Sequence, residues 1–196
     1  IPFIDPSFYK DKFGVEGKTV LLTFGLLSPG KGIEYLIEAL PEIVKCFPGV
    51  VYVILGATHP NLVREQGQSY RLSLERLAKK LDVGKHVMFF NRFVEMEELI
   101  EFIGAADVYV TPYLNEAQIT SGTLAYAFGA GKAVVSTPYW HASELLAGDR
   151  GVLTPFRDAR ALASAIVDLL KDDARRNAMR KAAWQIGREM IWPRVA

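Results

Sequence analysis

Lys31 and the run Thr120-Ser121-Gly122-Thr123 are the residues of this chain best suited to holding a phosphate. Lys31 closes the stretch Gly25-Leu26-Leu27-Ser28-Pro29-Gly30-Lys31, which has the G-x-x-x-x-G-K spacing of a nucleotide-binding loop. In that chemistry backbone N–H groups cradle phosphate oxygens, the lysine reaches the outer phosphates, and a following Ser or Thr holds Mg²⁺. Here Gly32 follows, with no side chain to offer a metal. A Mg²⁺-dependent NTPase also needs a carboxylate at the carboxyl end of an apolar strand. The stretch 50–56 ends in Gly56, and the stretch 107–112 carries its acid, Asp107, at the start. There is no D-x-D either. Read structurally, Gly25, Gly30 and Gly32 shape a tight strand-to-helix turn. Lys31 resists that reading, because a cation at a helix N-terminus opposes the helix dipole. A bound anion would remove the conflict.

The second segment precedes another expected helix. Thr120 or Ser121 suits an N-cap, and Gly122 lets backbone approach a ligand closely. Ordinary capping explains this segment taken alone. Two helix starts on one edge of one sheet are harder to explain so, since free N–H groups there attract anions. With Lys31 they would grip a diphosphate without a metal.

Three histidines compete for roles. His59 follows an expected strand at the ligand-facing edge and can donate to a phosphate or sugar hydroxyl; a structural hydrogen bond serves equally well. His86 precedes a strand and is expected at the surface. His141 follows Tyr139 and Trp140, aromatics expected to pack under their loop rather than stack on a sugar. The single Cys46 forms no internal disulfide and is expected as an inert, buried or half-buried thiol, consistent with a reducing cytoplasm.

Positioning these residues requires alternating strands and helices. Strands are expected at 19–25, 50–56, 87–91, 107–112, 133–136 and 151–153, most of them continuous apolar runs, as buried parallel strands should be. Helices are expected at 31–47 (with Pro41 kinking it), 69–81, 96–105, 121–129, 142–146, 158–171 and 173–187. The segments 26–31, 57–68, 92–95, 113–120 and 137–142 are left as loops. The pattern is α/β, a doubly wound, mainly parallel six-stranded Rossmann-like sheet, with ligands outside the carboxyl ends of the strands. We expect residues 1–18 to be a lead-in, 19–172 the body, and 173–196 a terminal helix with a truncated segment. The start at Ile1-Pro2 and the ending around Ile191 and Trp192 suggest a piece of a longer chain. A net charge of +1 with no basic stripe argues against nucleic acid as a partner.

Read together, these residues resemble family 4 glycosyltransferases of GT-B fold. Gly25 to Gly32 is similar to their G-R-L-x-x-x-K-G stretch, and Ala125-Tyr126-Ala127-Phe128-Gly129-Ala130-Gly131-Lys132-Ala133-Val134-Val135 to their E-A-M-A-x-G-x-P-V-V stretch. The strand Ala105-Ala106-Asp107-Val108-Tyr109-Val110-Thr111-Pro112 also fits. The likeness runs from about residue 20 to 157 and is to the C-terminal, donor-binding half, with the acceptor half absent. The closing residues, from Trp192 on, look like the start of a helix crossing back to that half.

The resemblance implies retaining transfer of a sugar from a nucleoside diphosphate sugar to an acceptor hydroxyl, with no metal or other cofactor. It carries Lys31 over to the diphosphate, but places Leu26 where the family has Arg; Arg92 is a candidate to replace that charge. The family's two glutamates, one against the donor sugar and one against the ribose, fall at Gln118 and Tyr126. Gln118 retains hydrogen-bonding capacity, Tyr126 can reach a ribose hydroxyl, and Glu116 is a nearby carboxylate. Phe93 is a candidate neighbour of the base, with core packing the plainer expectation. The implied catalytic set is Lys31, Gln118 and Glu116. The donor-binding set is Gly25, Gly30, Lys31, His59, Arg92, Phe93, Thr120, Ser121, Gly122, Thr123 and Tyr126. Peripheral membrane association is compatible, since such surfaces usually lie on the absent half. The rivals are a sugar-nucleotide epimerase of the same fold, a binding module that has lost catalysis, and an NTPase.

Overall fold

The computed structural model describes residues 3–190. Their strands are β1 (Thr19–Phe24), β2 (Val50–Leu55), β3 (Val87–Phe90), β4 (Val108–Thr111), β5 (Ala133–Ser136) and β6 (Val152–Leu153). They form one sheet in the order β3-β2-β1-β4-β5-β6, with every neighbouring pair parallel. β1 and β4 lie side by side although two strands separate them in sequence. The winding reverses there, which makes their carboxyl ends the crevice of the sheet. The expected doubly wound architecture is the one observed.

The continuous apolar runs follow from burial on both faces. All six residues of β2 are buried. Val50, Tyr52 and Ile54 enter one core layer, and Val51, Val53 and Leu55 the other. The first layer is closed by α1 (Ile33–Cys46), α3 (Ser69–Lys80) and α7 (Ala159–Lys171). The second is closed by α4 (Met96–Ala105), α5 (Gly122–Gly129) and α6 (Trp140–Leu145). α8 (Asp173–Gly187) gives Met179 to the first and Ala183 to the second. α1 buries Ile33, Leu36, Ile37, Leu40 and Ile43, a stripe of helical period that continues past Pro41. Asp158 and Asp172 cap α7 and α8, accepting from Ala161 N at 2.8 Å and Arg175 N at 2.9 Å.

Several local expectations are corrected. α1 begins at Ile33 rather than Lys31, because Pro29–Lys31 form a 3-10 turn and Gly32 is left-handed at φ +61°. The stretch 57–68 contains α2 (Pro60–Gln66), started by Pro60 and capped by His59, whose Nδ1 accepts from Asn61 N at 3.2 Å. His86 is buried, not at the surface: a 3-10 turn, Gly84–His86, tucks its ring under the entry of β2, with Nδ1 2.8 Å from Val50 O. Cys46, on the last turn of α1, is exposed rather than buried or half-buried.

Asp107 serves the opposite, amino end of the sheet. Its Oδ2 accepts from Val20 N and from Lys10 Nζ, both at 2.7 Å. Lys10 belongs to a lead-in of two 3-10 turns, Pro6–Tyr9 and Asp11–Phe13, which packs on α4 with Phe13 stacked 3.9 Å from Phe102. The chain end around Ile191 and Trp192 lies outside the described residues.

Candidate functional site

The loops after β1 and β4 flank the crevice, and backbone contacts hold them together. Gly30 O accepts from Leu114 N at 3.0 Å. A Cβ on Gly32 would lie 2.1 Å from Pro112 O, and one on Gly25 (φ +118°) would lie 3.1 Å from Thr123 Cγ2. Any side chain at Gly32 would push the loops apart, so the absence of a hydroxyl there has a steric cause. Gly30 has neither a positive φ nor a tight neighbour.

α5 starts at this junction. Ser121 is its N-cap, with Oγ accepting from Leu124 N at 3.3 Å. The Ser121 N–H donates to His141 Nδ1 at 2.9 Å. Of the N–H groups expected to face an anion, that one is taken. Those of Gly122 and Thr123 have no acceptor among the described residues. Such donors at the positive end of a helix attract an anion. His141 must be neutral at Nδ1 to accept. Burial favours this by pushing its pKa below the usual value, against the opposing pull of Glu144.

Lys31 approaches the same place. Its Nζ sits 3.8 Å from the centroid of the Tyr113 ring. Among the described residues it makes no ion pair with a carboxylate. Tyr113 is fully buried, stacks on Tyr139 at 5.4 Å, and has its hydroxyl 2.7 Å from Thr123 Oγ1. Sequence reasoning missed Tyr113. Its one signal was position, immediately beyond the end of an apolar strand on the ligand side. Tyr139 packs under its loop as expected, whereas Trp140 is exposed.

Beside α5 opens a cavity of about 330 Å³ with mainly apolar walls. Phe24, Leu26, Val94 and Leu99 line it, together with Phe93, Tyr126, Gly25, Arg92, Gly122 and Thr123. Phe93 is 80% exposed, so it is a rim residue and not the core residue its type suggested. Tyr126 is also substantially exposed along the wall. Arg92 is less available than expected: its guanidinium forks onto the Glu98 carboxylate, with one arm at 2.7 Å.

Lys31, Gly30, His59, Glu116, Gln118, Thr120 and Ser121 lie outside the cavity lining. His59 is engaged as a helix cap. Glu116 is exposed and Gln118 half-buried, its Nε2 donating to Thr120 O at 3.1 Å. Their loop is stitched to α6 by Trp140 N donating to Glu116 O at 3.0 Å and His141 N to Gln118 O at 3.2 Å. No His, Cys, Asp or Glu cluster able to hold a metal is found among the described residues. No described helix is long and apolar enough to cross a membrane.

This sheet order is that of a doubly wound, Rossmann-type α/β domain. Residues 7–185 match the family described as glycosyl transferases group 1, and the chain belongs to it. It is 32% identical over 164 residues to the phosphatidyl-myo-inositol mannosyltransferase of Mycolicibacterium smegmatis, covering 83% of this chain and 39% of that protein. It is 30% identical over 174 residues to the D-inositol 3-phosphate glycosyltransferase of Corynebacterium urealyticum, covering 88% and 39%. The chain thus spans about two-fifths of the length of these relatives. Its fold is similar to that of Anabaena HepE, solved in complex with UDP, with a TM-score of 0.82 and 24% identity over 94% of this chain and 48% of that one. It is equally similar to the C-terminal domain of a group 1 glycosyl transferase (LpcC) from Francisella tularensis, with a TM-score of 0.82 and 19% identity over 96% and 95%. The fold is the C-terminal half of a GT-B glycosyltransferase.

Proposed function

We propose that this chain is the donor-binding half of a retaining glycosyltransferase. It would move a sugar from a nucleoside diphosphate sugar to an acceptor hydroxyl without a metal ion. The observation that carries this reading is that Gly122 and Thr123, whose N–H groups at the start of α5 are unused, line the apolar cavity. A base and ribose in the cavity would bring their phosphates to those donors and towards Lys31. The cavity volume lies at the low end of the ~300–1,000 Å³ common for small-molecule sites. The mannosyltransferase relatives and the UDP bound by HepE support the same substrate class.

In the reaction the bond from the anomeric carbon to the diphosphate breaks, and its electron pair goes to the phosphate oxygen. The acceptor oxygen bonds that carbon on the same face, and its proton passes to the departing phosphate oxygen. Lys31 and the α5 donors stand where the leaving charge grows, so they act as fixed electrostatic stabilisers. Gln118, or Glu116 beside it, would contact the donor sugar, and Tyr126 the ribose. Residues 19–172 form the donor-binding body in this reading, with 1–18 and 173–196 leading to the acceptor half. Closure of that half would exclude water, so the fragment by itself should bind donor and not turn it over. A cytoplasmic setting fits the lone Cys46, and peripheral membrane contact would belong to the other half.

A second reading is a sugar-nucleotide-binding module without catalysis. It is favoured by Arg92 being paired to Glu98 while Leu26, Gln118 and Tyr126 bring no charge. Turnover by the full-length protein would exclude it.

Calorimetric titration with UDP and with GDP tests the proposal. One of them should bind, and Lys31→Ala should weaken it about tenfold or more, as for loss of a charged contact. Failure of both to bind removes the nucleotide reading. Unchanged affinity in the variant removes Lys31 from the site.

A further inference from the structure

Tyr113 is the only residue described above that touches both halves of the anion grip. One face of its ring carries Lys31 Nζ at 3.8 Å from the centroid. Its ring also stacks on Tyr139, the planes only 18° apart, which fixes the ring's tilt. Its hydroxyl reaches Thr123 Oγ1 at 2.7 Å, on the second residue of α5. The ring is fully buried, so it cannot swing away from either partner.

We propose that Tyr113 is a positioning residue for the diphosphate: it aims Lys31 with its ring face and sets the Thr123 hydroxyl with its own. The proposal rests on the nucleotide reading above. A carboxylate would hold a lysine more strongly, but would also cancel its charge. A π face attracts the ammonium through the ring quadrupole and leaves the charge intact for an incoming phosphate. The phenol, as donor to Thr123 Oγ1, leaves the threonine proton free to turn outward. Ser121 Oγ lies 3.2 Å from Thr123 Oγ1, within reach to accept that proton when no phosphate is present. The buried Tyr109 hydroxyl, close to Tyr113 and Thr123, has no hydrogen-bond partner of good geometry among the described residues.

The position of Tyr113 beyond an apolar strand gave no hint of these contacts. Tyr113 lies 82 positions from Lys31 and 10 from Thr123, and only the pairing of β1 with β4 brings the three together.

The test is calorimetry on the full chain with UDP and GDP, and with uridine and guanosine as probes lacking phosphate. Tyr113→Phe keeps the ring and drops the hydroxyl; it should weaken the diphosphate that binds by about three- to tenfold and leave its nucleoside unchanged. Tyr113→Leu loses the ring as well and should cost a further severalfold. In a Lys31→Ala background that further loss should vanish, because the ring then has no cation to aim. Equal losses for nucleoside and diphosphate would mean that Tyr113 only supports the cavity, and would overturn the proposal. So would unchanged diphosphate affinity in Tyr113→Phe, a variant that decides the matter even if Tyr113→Leu does not fold. Absence of wild-type binding to both diphosphates would overturn the nucleotide reading itself, and this proposal with it.

Discussion

The backbone N–H of Ser121 donates to the imidazole Nδ1 of His141 at 2.9 Å, across twenty residues and two helices. The bond ties the start of α5 to the first turn of α6. It also occupies one of the donors that would otherwise greet an anion, while those of Gly122 and Thr123 stay open. Such a bond exists only while Nδ1 carries a lone pair.

That requirement gives a pH dependence. Burial holds the folded-state pKa of His141 below its ordinary 6.5. As pH falls under 6.5 the unfolded chain takes up the proton before the folded one does. The stability contributed by His141 is therefore complete above that value and is lost as pH falls through the folded pKa. His141→Asn keeps an acceptor but does not titrate. Urea unfolding between pH 7 and 5 should show wild type losing more stability than this variant. Parallel curves would remove His141 as the cause.

The glycines of the first loop should differ sharply. Gly32→Ala places a methyl against Pro112 O in a left-handed backbone, and should cost about 3 kcal/mol or more. Gly30→Ala meets only Ser28 Oγ at 4.0 Å and should stay within about 0.5 kcal/mol of wild type. Thermal melts of the two variants compare them directly. Similar losses would contradict the loop contact described here.

Lys132 supplies a second pH signal, at the far end of the sheet. It is 1% exposed and donates to Gly104 O at 2.7 Å and Ala106 O at 2.9 Å, closing the carboxyl end of α4. Burial, with Arg180 nearby, pushes its pKa down to about 7, while Asp107 acts the other way. Between there and 10.5 the unfolded chain keeps a proton that the folded chain sheds, so this group's contribution to stability grows with pH across that window. The stability difference between wild type and Lys132→Met should rise from pH 7.5 to 9.5. A constant difference would show that Lys132 stays charged in the fold.

Gln118 and Glu116 remain to be separated by function. Under the proposed function, alanine at whichever faces the donor sugar should lower turnover of the full-length protein by about tenfold or more while nucleotide binding is kept. We expect Gln118, because it is half-buried against the helix start and Glu116 is exposed. Loss on Glu116→Ala alone would reverse that assignment, and loss on neither would place the sugar elsewhere.

The sheet was legible in the chain because each strand carries its own evidence. The run from Val50 to Leu55 is apolar at every position, since two helical layers cover it. α2 was not legible: it is seven residues, with no buried face and Pro60 at its start, so no periodic stripe betrays it. His86 looked exposed because nothing in its neighbours reveals that a turn folds it under Val50. Phe93 looked like core because aromatic residues usually are.

The site divides in the same way. Lys31 and the Thr120–Thr123 segment stood out as phosphate-site candidates because such candidates are defined by local features, a lysine and a helix start, that lie within a few residues. The sequence by itself therefore determined the sheet, its carboxyl edge and two segments there with the features of an anion site. The tertiary structure decided which donors stay open, that Arg92 is committed to Glu98, and that Gly32 is bare because Pro112 passes beside it. It alone decided that Tyr113 stands between Lys31 and Thr123. The physical reason is that these relationships depend on which strands become neighbours. Pairing β1 with β4 is a choice made by the packing of the whole sheet, and no local pattern records it.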